Sequence, residues 1–303
     1  MKVGYVVVLS DGVGPGTADR YPIIRDKAMR AENAGYDSIW IYDHLLYRIG
    51  AEDPTKGIWE GWTVMTALAE ATTRVEIGSL VLCNQFRNPA ILAKMAHTFD
   101  EISQGRLILG IGAGWNRAEF DAFGLPFDHR VSRLEEALQI LRPLLTDGFV
   151  DFEGAYYSAR DCEIAPRGPR SAIPLMVGAF GPRTMRLAAR YGDMWNTAYY
   201  ATPRDAQDQI DMYAAAVSEA QPDVTPEQTI LTGVHFDDLS PPPALPHPDF
   251  TVINGSSPGA IAEALTEHEA AGTTHLQLHP FPNENEAIER MEKELAAWRQ
   301  TRP

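Results

Sequence analysis

Apolar residues fall into two alternating patterns along the chain. Strands are read at residues 3–9, 36–42, 75–82, 106–111, 173–177, 193–197, 229–236 and 274–279, of which 3–9 is a nearly continuous apolar run and 173–177 a short apolar run. Runs of that length predict strands buried on both faces. Stretches with helical spacing follow them at residues 19–34, 62–72, 89–103, 131–145, 205–220, 257–271 and 285–299, and a further helix begins at Pro182 and is closed by Gly192. In the first helix Ile23, Ala28 and Ala31 form the apolar stripe and Gly35 is the stop. The period breaks once. Residues 149–162 read as a hairpin with Gly154 at its turn, an insertion of about 147–172 before the fifth strand. About eight βα units with no composition shift predict one α/β domain over 1–303 and a closed (β/α)8 TIM barrel. The runner-up is an open doubly wound sheet. Its fingerprint is lacking, because Gly110, Gly112 and Gly114 spell GxGxG and lie too far along for a first βα turn.

Four segments carry no regular pattern: a glycine-rich stretch at 10–17, long loops at 43–60 and 112–128, and a proline-rich stretch at 239–248. Loops of this length inside a compact domain are usually functional or disordered. The first long loop holds His44, Tyr47 and Trp59; the second holds Trp115, Asn116 and Glu119.

Hydrophobic residues make up 45% and charged residues 22%, as in ordinary globular proteins. The formal net charge of −15 disfavours nucleic acid and anionic membrane surfaces as partners. A phosphate site in such a chain must work by local geometry. The first residues, Met1-Lys2-Val3-Gly4, pass straight into a strand with no signal-peptide pattern, and no apolar run approaches membrane-spanning length. The two cysteines, Cys83 and Cys162, form no CxxC pair, and no clustered His, Asp and Glu suggest a metal. The expectation is a reduced, cytoplasmic, soluble protein.

The stretch from Gly178 to Asp193 is the strongest local signal. It is a glycine turn, Gly178-Ala179-Phe180-Gly181, between a strand and a helix that starts at Pro182. Free backbone N–H groups at a helix N-terminus bind anions, phosphate above all, and Arg183 in the first turn would add a charged donor. The alternative is an ordinary βα corner. In a barrel the chemistry lies where strands end and βα loops begin. Asp43-His44, residues 80–83, residues 112–116 and the glycine turn end consecutive strands and converge on one side of the mouth. His44 is then a candidate general acid or base, the alternative being a histidine bonded to a backbone carbonyl. Trp59, Trp115, Asn116 and His279 are candidates to line a substrate pocket, and His275 shares a face with His279.

Several stretches, in this order, resemble the bacterial-luciferase-like family of flavin and deazaflavin oxidoreductases over nearly the whole chain. They are Gly35-Tyr-Asp-Ser-Ile-Trp-Ile-Tyr-Asp-His44, Phe86-Arg-Asn-Pro-Ala-Ile-Leu-Ala-Lys94, Gly105-Arg-Leu-Ile-Leu-Gly-Ile-Gly-Ala-Gly-Trp-Asn116, Phe123-Gly-Leu-Pro-Phe127, Val150-Asp-Phe-Glu-Gly154 and the glycine turn. The resemblance implies a TIM barrel binding FMN or coenzyme F420 with the ring at the barrel mouth. It implies that Gly178, Ala179, Phe180, Gly181, Pro182 and Arg183 hold the cofactor phosphate. It implies that Asp43, Leu80, Val81, Cys83, Ala113 and Gly114 lie near the ring, with His44 as the proton carrier. It also implies a bulge or cis non-proline bond at about Leu80-Val81.

The chain departs from family patterns at two places. Sugar-phosphate dehydrogenases of the family carry a glutamate as general acid where Trp115 stands here. Luciferases place an arginine near Ala113, and its absence favours F420 over luciferase chemistry. The expectation is therefore F420-dependent hydride transfer with a small organic substrate, in a homodimer or higher homo-oligomer. The alternatives are an FMN-dependent monooxygenase served by a flavin reductase, and a barrel that binds a flavin-type ligand without turnover.

Overall fold

The structure is a computed structural model that describes residues 1–10, 18–48, 54–243, 245 and 247–302. Most of the glycine-rich stretch and parts of the 43–60 and 239–248 segments lie outside the described residues. In chain order the elements are β1 (Lys2–Val6), α1 (Tyr21–Asn33), β2 (Ser38–Ile41), α2 (Gly61–Ala71), β3 (Glu76–Ser79), β4 (Leu82–Cys83), α3 (Pro89–Ile102), β5 (Leu107–Gly112), α4 (Arg117–Phe123) and α5 (Arg130–Thr146). Then come β6 (Phe149–Glu153), β7 (Ser158–Glu163), β8 (Leu175–Gly178), α6 (Pro182–Tyr191), β9 (Met194–Ala198), α7 (Gln207–Ala220), β10 (Glu227–His235), β11 (Val252–Asn254), α8 (Ala260–Ala270), β12 (His275–Phe281) and α9 (Asn285–Gln300).

The parallel strands close on themselves in the order β1, β2, β3, β5, β8, β9, β10, β12, with β12 pairing β1 again. This is the eight-stranded barrel expected from the repeating units. Three features depart from the sequence expectation. The third strand, read as continuous over 75–82, is broken: β3 ends at Ser79 and pairing resumes at β4, across the cis Leu80–Val81 bond that the resemblance implied. The 112–128 loop contains α4. β11 takes over from β9 as the partner of the far half of β10. The hairpin β6–β7 stands where an insertion was read, antiparallel and with a register shift between Val150 and Phe152.

Two separate cores follow from strand alternation. The larger one lies between strands and helices. The smaller one fills the barrel with Val6, Trp40, Leu80, Ile108, Met176, Met194 and Leu231. Trp40 occupies the middle. A Cβ on Gly4 would stand 2.3 Å from its indole nitrogen, and one on Gly78 would stand 2.1 Å from its ring. Those two glycines make room for the Trp40 ring. A polar string runs beside it. The Trp40 indole donates to Ser38 Oγ at 2.7 Å, and Ser38 Oγ lies 2.7 Å from His275 Nε2. Because Ser38 accepts from Trp40, its own hydroxyl proton is left for His275.

Candidate active site

The C-terminal ends of β2, β5, β8, β9 and β12 surround a mouth walled by aromatic rings. Tyr42, His44, Tyr47 and Trp115 stand on one side: His44 meets Tyr42 at 6.0 Å, Tyr47 at 5.2 Å and Trp115 at 5.8 Å between ring centres, each edge-on. Tyr199, His279 and Phe281 stand across from them, with His279 6.0 Å from Tyr42. Tyr199 ends β9 with φ +60, a left-handed conformation unfavourable for an aromatic residue and found most often at functional sites. That turn brings its hydroxyl to 3.0 Å from His279 Nδ1.

His44 and Asp43 point apart, as neighbours in extended chain do. Asp43 is buried beneath the mouth. It accepts from the Cys83 amide at 3.0 Å and from both terminal nitrogens of Arg87, at 2.8 and 3.0 Å. Burial opposes the charge of Arg87, but Asp43 and Glu60, which also bonds it, outweigh that and raise its pKa. Asp43 thus braces the β2 turn against the broken third strand, and only its backbone is left to face a ligand. His44 turns the other way. Its Nδ1 lies 2.9 Å from Glu119 Oε2, and Glu119 Oε1 accepts the amides of Leu45 and Leu46 at 2.6 and 3.1 Å. The partner is a carboxylate and not the backbone carbonyl of the alternative reading. Among the described residues nothing bonds His44 Nε2, which opens on the mouth.

The other histidines of the barrel are different in kind. Burial alone pushes His279 down to about 3. Burial, with the charges of Lys2 and the N-terminus, does the same to His275. Both are neutral at ordinary pH and have no proton to give as acids. Burial pushes the Cys83 thiol up to about 12, so it stays protonated. Burial, followed by the charge of Glu119, raises the Tyr47 hydroxyl.

The glycine turn has its expected place between β8 and α6. Neither Gly178 nor Gly181 has a left-handed φ. A Cβ on Gly178, or on Gly112 across from it, would stand 2.9 Å from Val81 Cγ2, so the two glycines form a slot for the Val81 side chain at the floor of the mouth. A Cβ on Gly181 would meet nothing within 4 Å. The Gly181 amide is not free: it donates to Thr184 Oγ1 at 3.2 Å, and the Ala179 amide donates to Asn196 in the barrel. The unpaired donors are those of the first turn of α6. Arg183 is half exposed and rests on α5, bonded to Ser132 Oγ at 3.0 Å and Glu135 at 2.7 Å. There it shares a cleft of about 260 Å³ with Phe127, His129, Arg130 and Ser132. Arg130 stacks 3.7 Å over the Phe127 ring and donates to the Gly114 carbonyl at 3.4 Å, tying the cleft to the mouth.

Leu80 and Val81 belong to the barrel interior, whereas Ala113 packs against the larger core and Gly114 lies against Cys83 and Phe120. Trp115 is half exposed at the rim, and Asn116 is buried beneath it, bonding the Leu46 carbonyl at 3.4 Å. Trp59 turns toward the loop after β1, donating to the Asp19 carbonyl at 2.7 Å. Phe180 packs toward Phe250, 6.0 Å between ring centres. Sequence reasoning passed over Glu119, Arg87, Arg130 and Tyr199 as site residues. Glu119 was within reach: Asn116-Arg-Ala-Glu119 is a helix-start pattern, and an acid so placed faces the loop before it. Among the described residues no group of three or more His, Cys, Asp or Glu is placed to hold a metal, and no helix is long and apolar enough to cross a membrane.

Known proteins share this architecture. An F420-dependent secondary alcohol dehydrogenase, solved with an F420-acetone adduct, superposes with a TM-score of 0.77 at 22% identity over 98% of both chains. A riboflavin lyase, RcaE, solved with modified FMN and riboflavin, superposes with a TM-score of 0.79 at 16% identity, covering 99% of this chain and 91% of that one. At such identities the likeness is one of fold. In sequence, the F420-dependent glucose-6-phosphate dehydrogenase of Amycolatopsis mediterranei is 37% identical over 199 residues, 64% of this chain and 56% of that protein. The protein of the same name from Intrasporangium calvum is 40% identical over 177 residues, 55% of this chain and 51% of its own length. The match thus spans about half the length of these relatives. The profile of the luciferase-like monooxygenases matches residues 1–301, and the chain belongs to that family.

Proposed function

We propose that this protein is an oxidoreductase that uses coenzyme F420 to exchange a hydride with a small organic alcohol or carbonyl compound. The observation that carries the reading is the continuity of the site. One titratable group with an open nitrogen, His44 Nε2, stands at a mouth floored by Val81, and the floor leads through Gly114 to a cleft with two arginines. A flat ring with a phosphate-bearing side chain fits that shape. The open space at Gly181 is where a Cβ meets no protein atom. Gly178, Ala179, Phe180, Gly181, Pro182 and Arg183, with Arg130 and Ser132, would hold the phosphate; Leu80, Val81, Ala113 and Gly114 would support the ring. When bound, F420 supplies or accepts the hydride. The chain's own part is to position the substrate oxygen at His44, to exclude water with the rings of Tyr42, Tyr47, Trp115 and Tyr199, and to move one proton at Nε2.

The names of the relatives from A. mediterranei and I. calvum support F420. The aromatic wall, with Trp115 at its rim, suits an uncharged carbinol better than a sugar phosphate. A cytoplasmic location belongs to the same proposal, supported by two free cysteines and tested by fractionation, and a homo-oligomeric state is tested by light scattering. Titration of the purified protein with F420 and with FMN, followed by fluorescence, tests the cofactor. Saturable binding of F420 at much lower concentration than FMN is expected. Preference for FMN would turn the reading to the reductase-fed monooxygenase.

A further inference from the structure

Glu119 is 2% exposed and lies at the first turn of α4, yet its carboxylate reaches back to the β2 loop. Three bonds fix it there: His44 Nδ1 on one oxygen, and the Leu45 and Leu46 amides on the other. As a carboxylate it can only accept. His44 therefore donates from Nδ1, and a neutral imidazole that donates from one nitrogen has a bare lone pair on the other. We propose that Glu119 is a positioning residue that sets the tautomer of His44, holding the proton on Nδ1 so that Nε2 faces the mouth as a proton acceptor. This rests on the oxidoreductase reading for its consequence in catalysis. In the direction of alcohol oxidation, the hydroxyl proton passes to Nε2 as the carbinol C–H bond is given up as hydride to the cofactor, leaving a carbonyl. In the reverse direction the imidazolium returns that proton to the oxygen. In both, the bond from Nδ1 to Glu119 at 2.9 Å keeps the ring in one orientation while the proton moves at Nε2.

The surroundings support one orientation of the ring. Tyr42, Tyr47 and Trp115 hold it edge-on from three sides, and Asn116 fastens the Leu46 carbonyl beneath. A ring flip would set a carbon against Glu119 and leave that buried carboxylate one donor short.

Two measurements decide it. The first needs no cofactor or substrate: ¹⁵N NMR of histidine-labelled protein, with the His44 signals assigned by their loss in His44→Gln. The protonated nitrogen should be Nδ1 and the bare one Nε2. The second uses Glu119→Gln. Its amide oxygen can keep the Leu45 and Leu46 amides, while its NH₂ donates to Nδ1 and drives the proton to Nε2. The variant should show the reversed tautomer. Its kcat should fall by about 10²-fold or more, the scale of acid–base catalysis, with KM and cofactor affinity within about threefold. A purely structural Glu119 predicts wild-type turnover for this near-isosteric change. Wild-type protein with the proton on Nε2, or Glu119→Gln turnover within threefold of wild type, overturns the proposal. Failure of F420 to bind would sink the cofactor reading and leave the tautomer result standing.

Discussion

Acid should destabilise this protein through two histidines that the barrel keeps neutral. In the folded chain His275 and His279 take up a proton only near pH 3, against 6.5 for a solvated imidazole. The folded pKa lies below the unfolded one, so the unfolded chain binds more protons between those values. Stability from this source is complete above pH 6.5, falls as pH drops below it, and has gone by pH 3. At pH 5 the deficit is about 1.5 pH units per histidine, or roughly 2 kcal/mol each and about 4 kcal/mol together. That is a large share of the 5–15 kcal/mol typical of a folded domain. The cause is structural: His275 Nε2 is taken by the Ser38 hydroxyl, and His279 is closed in by Tyr199, Tyr42 and Phe281. Urea denaturation at pH 7 and pH 5 measures the loss in wild type, His275→Gln and His279→Asn. Each variant keeps a polar group near the bonded nitrogen and lacks the titrating ring. Each should lose about 2 kcal/mol less than wild type between the two pH values, whatever its stability at pH 7. Carboxylate effects common to all three chains cancel in that difference. Equal losses in all three would refute the reasoning.

Other substitutions probe the site separately. Gly181→Val should fold with unchanged Tm, because a Cβ there meets no protein atom, yet weaken F420 binding at least tenfold in the fluorescence titration. Gly178→Ala drives a methyl against Val81 Cγ2 and should cost about 1–3 kcal/mol by urea denaturation. Asp43→Ala removes one of the two acids bonded to the buried Arg87 and should cost about 3 kcal/mol on the same assay. His44→Ala should lower turnover by about 10²–10⁴ while cofactor affinity stays within a few-fold; wild-type turnover would remove His44 from the mechanism.

The barrel was legible because strands buried on both faces leave nearly continuous apolar runs, and the run at residues 3–9 is of that kind. The ends of elements were less so. Val7 continues β1 only by a single amide bond to Trp40, and nothing in an apolar string marks where pairing stops. α4 was hidden because seven residues between two loops carry too little periodicity to stand out. His44 could be singled out because it follows a rigid strand into the mouth. Its partner could not, since a contact across 75 residues is a property of the closed barrel. Arg130 was missed for the same reason: Gly114 comes to it from the loop after β5 and Arg183 from α6. At Gly178 the structure shows a packing cause beside the expected one. Glycine there signals a close neighbour, Val81, which belongs to another strand and leaves no trace in the local sequence.

The central claim is that His44 moves a proton while F420 exchanges a hydride. Its most direct measurement is anaerobic turnover, reading the F420 absorbance with a panel of small secondary alcohols, and reduced F420 with the matching ketones. The account predicts reduction of F420 by at least one alcohol without oxygen, oxidation of reduced F420 by the matching ketone, and loss of both in His44→Ala. Turnover that requires oxygen and reduced FMN, with F420 inert throughout the panel, would contradict it.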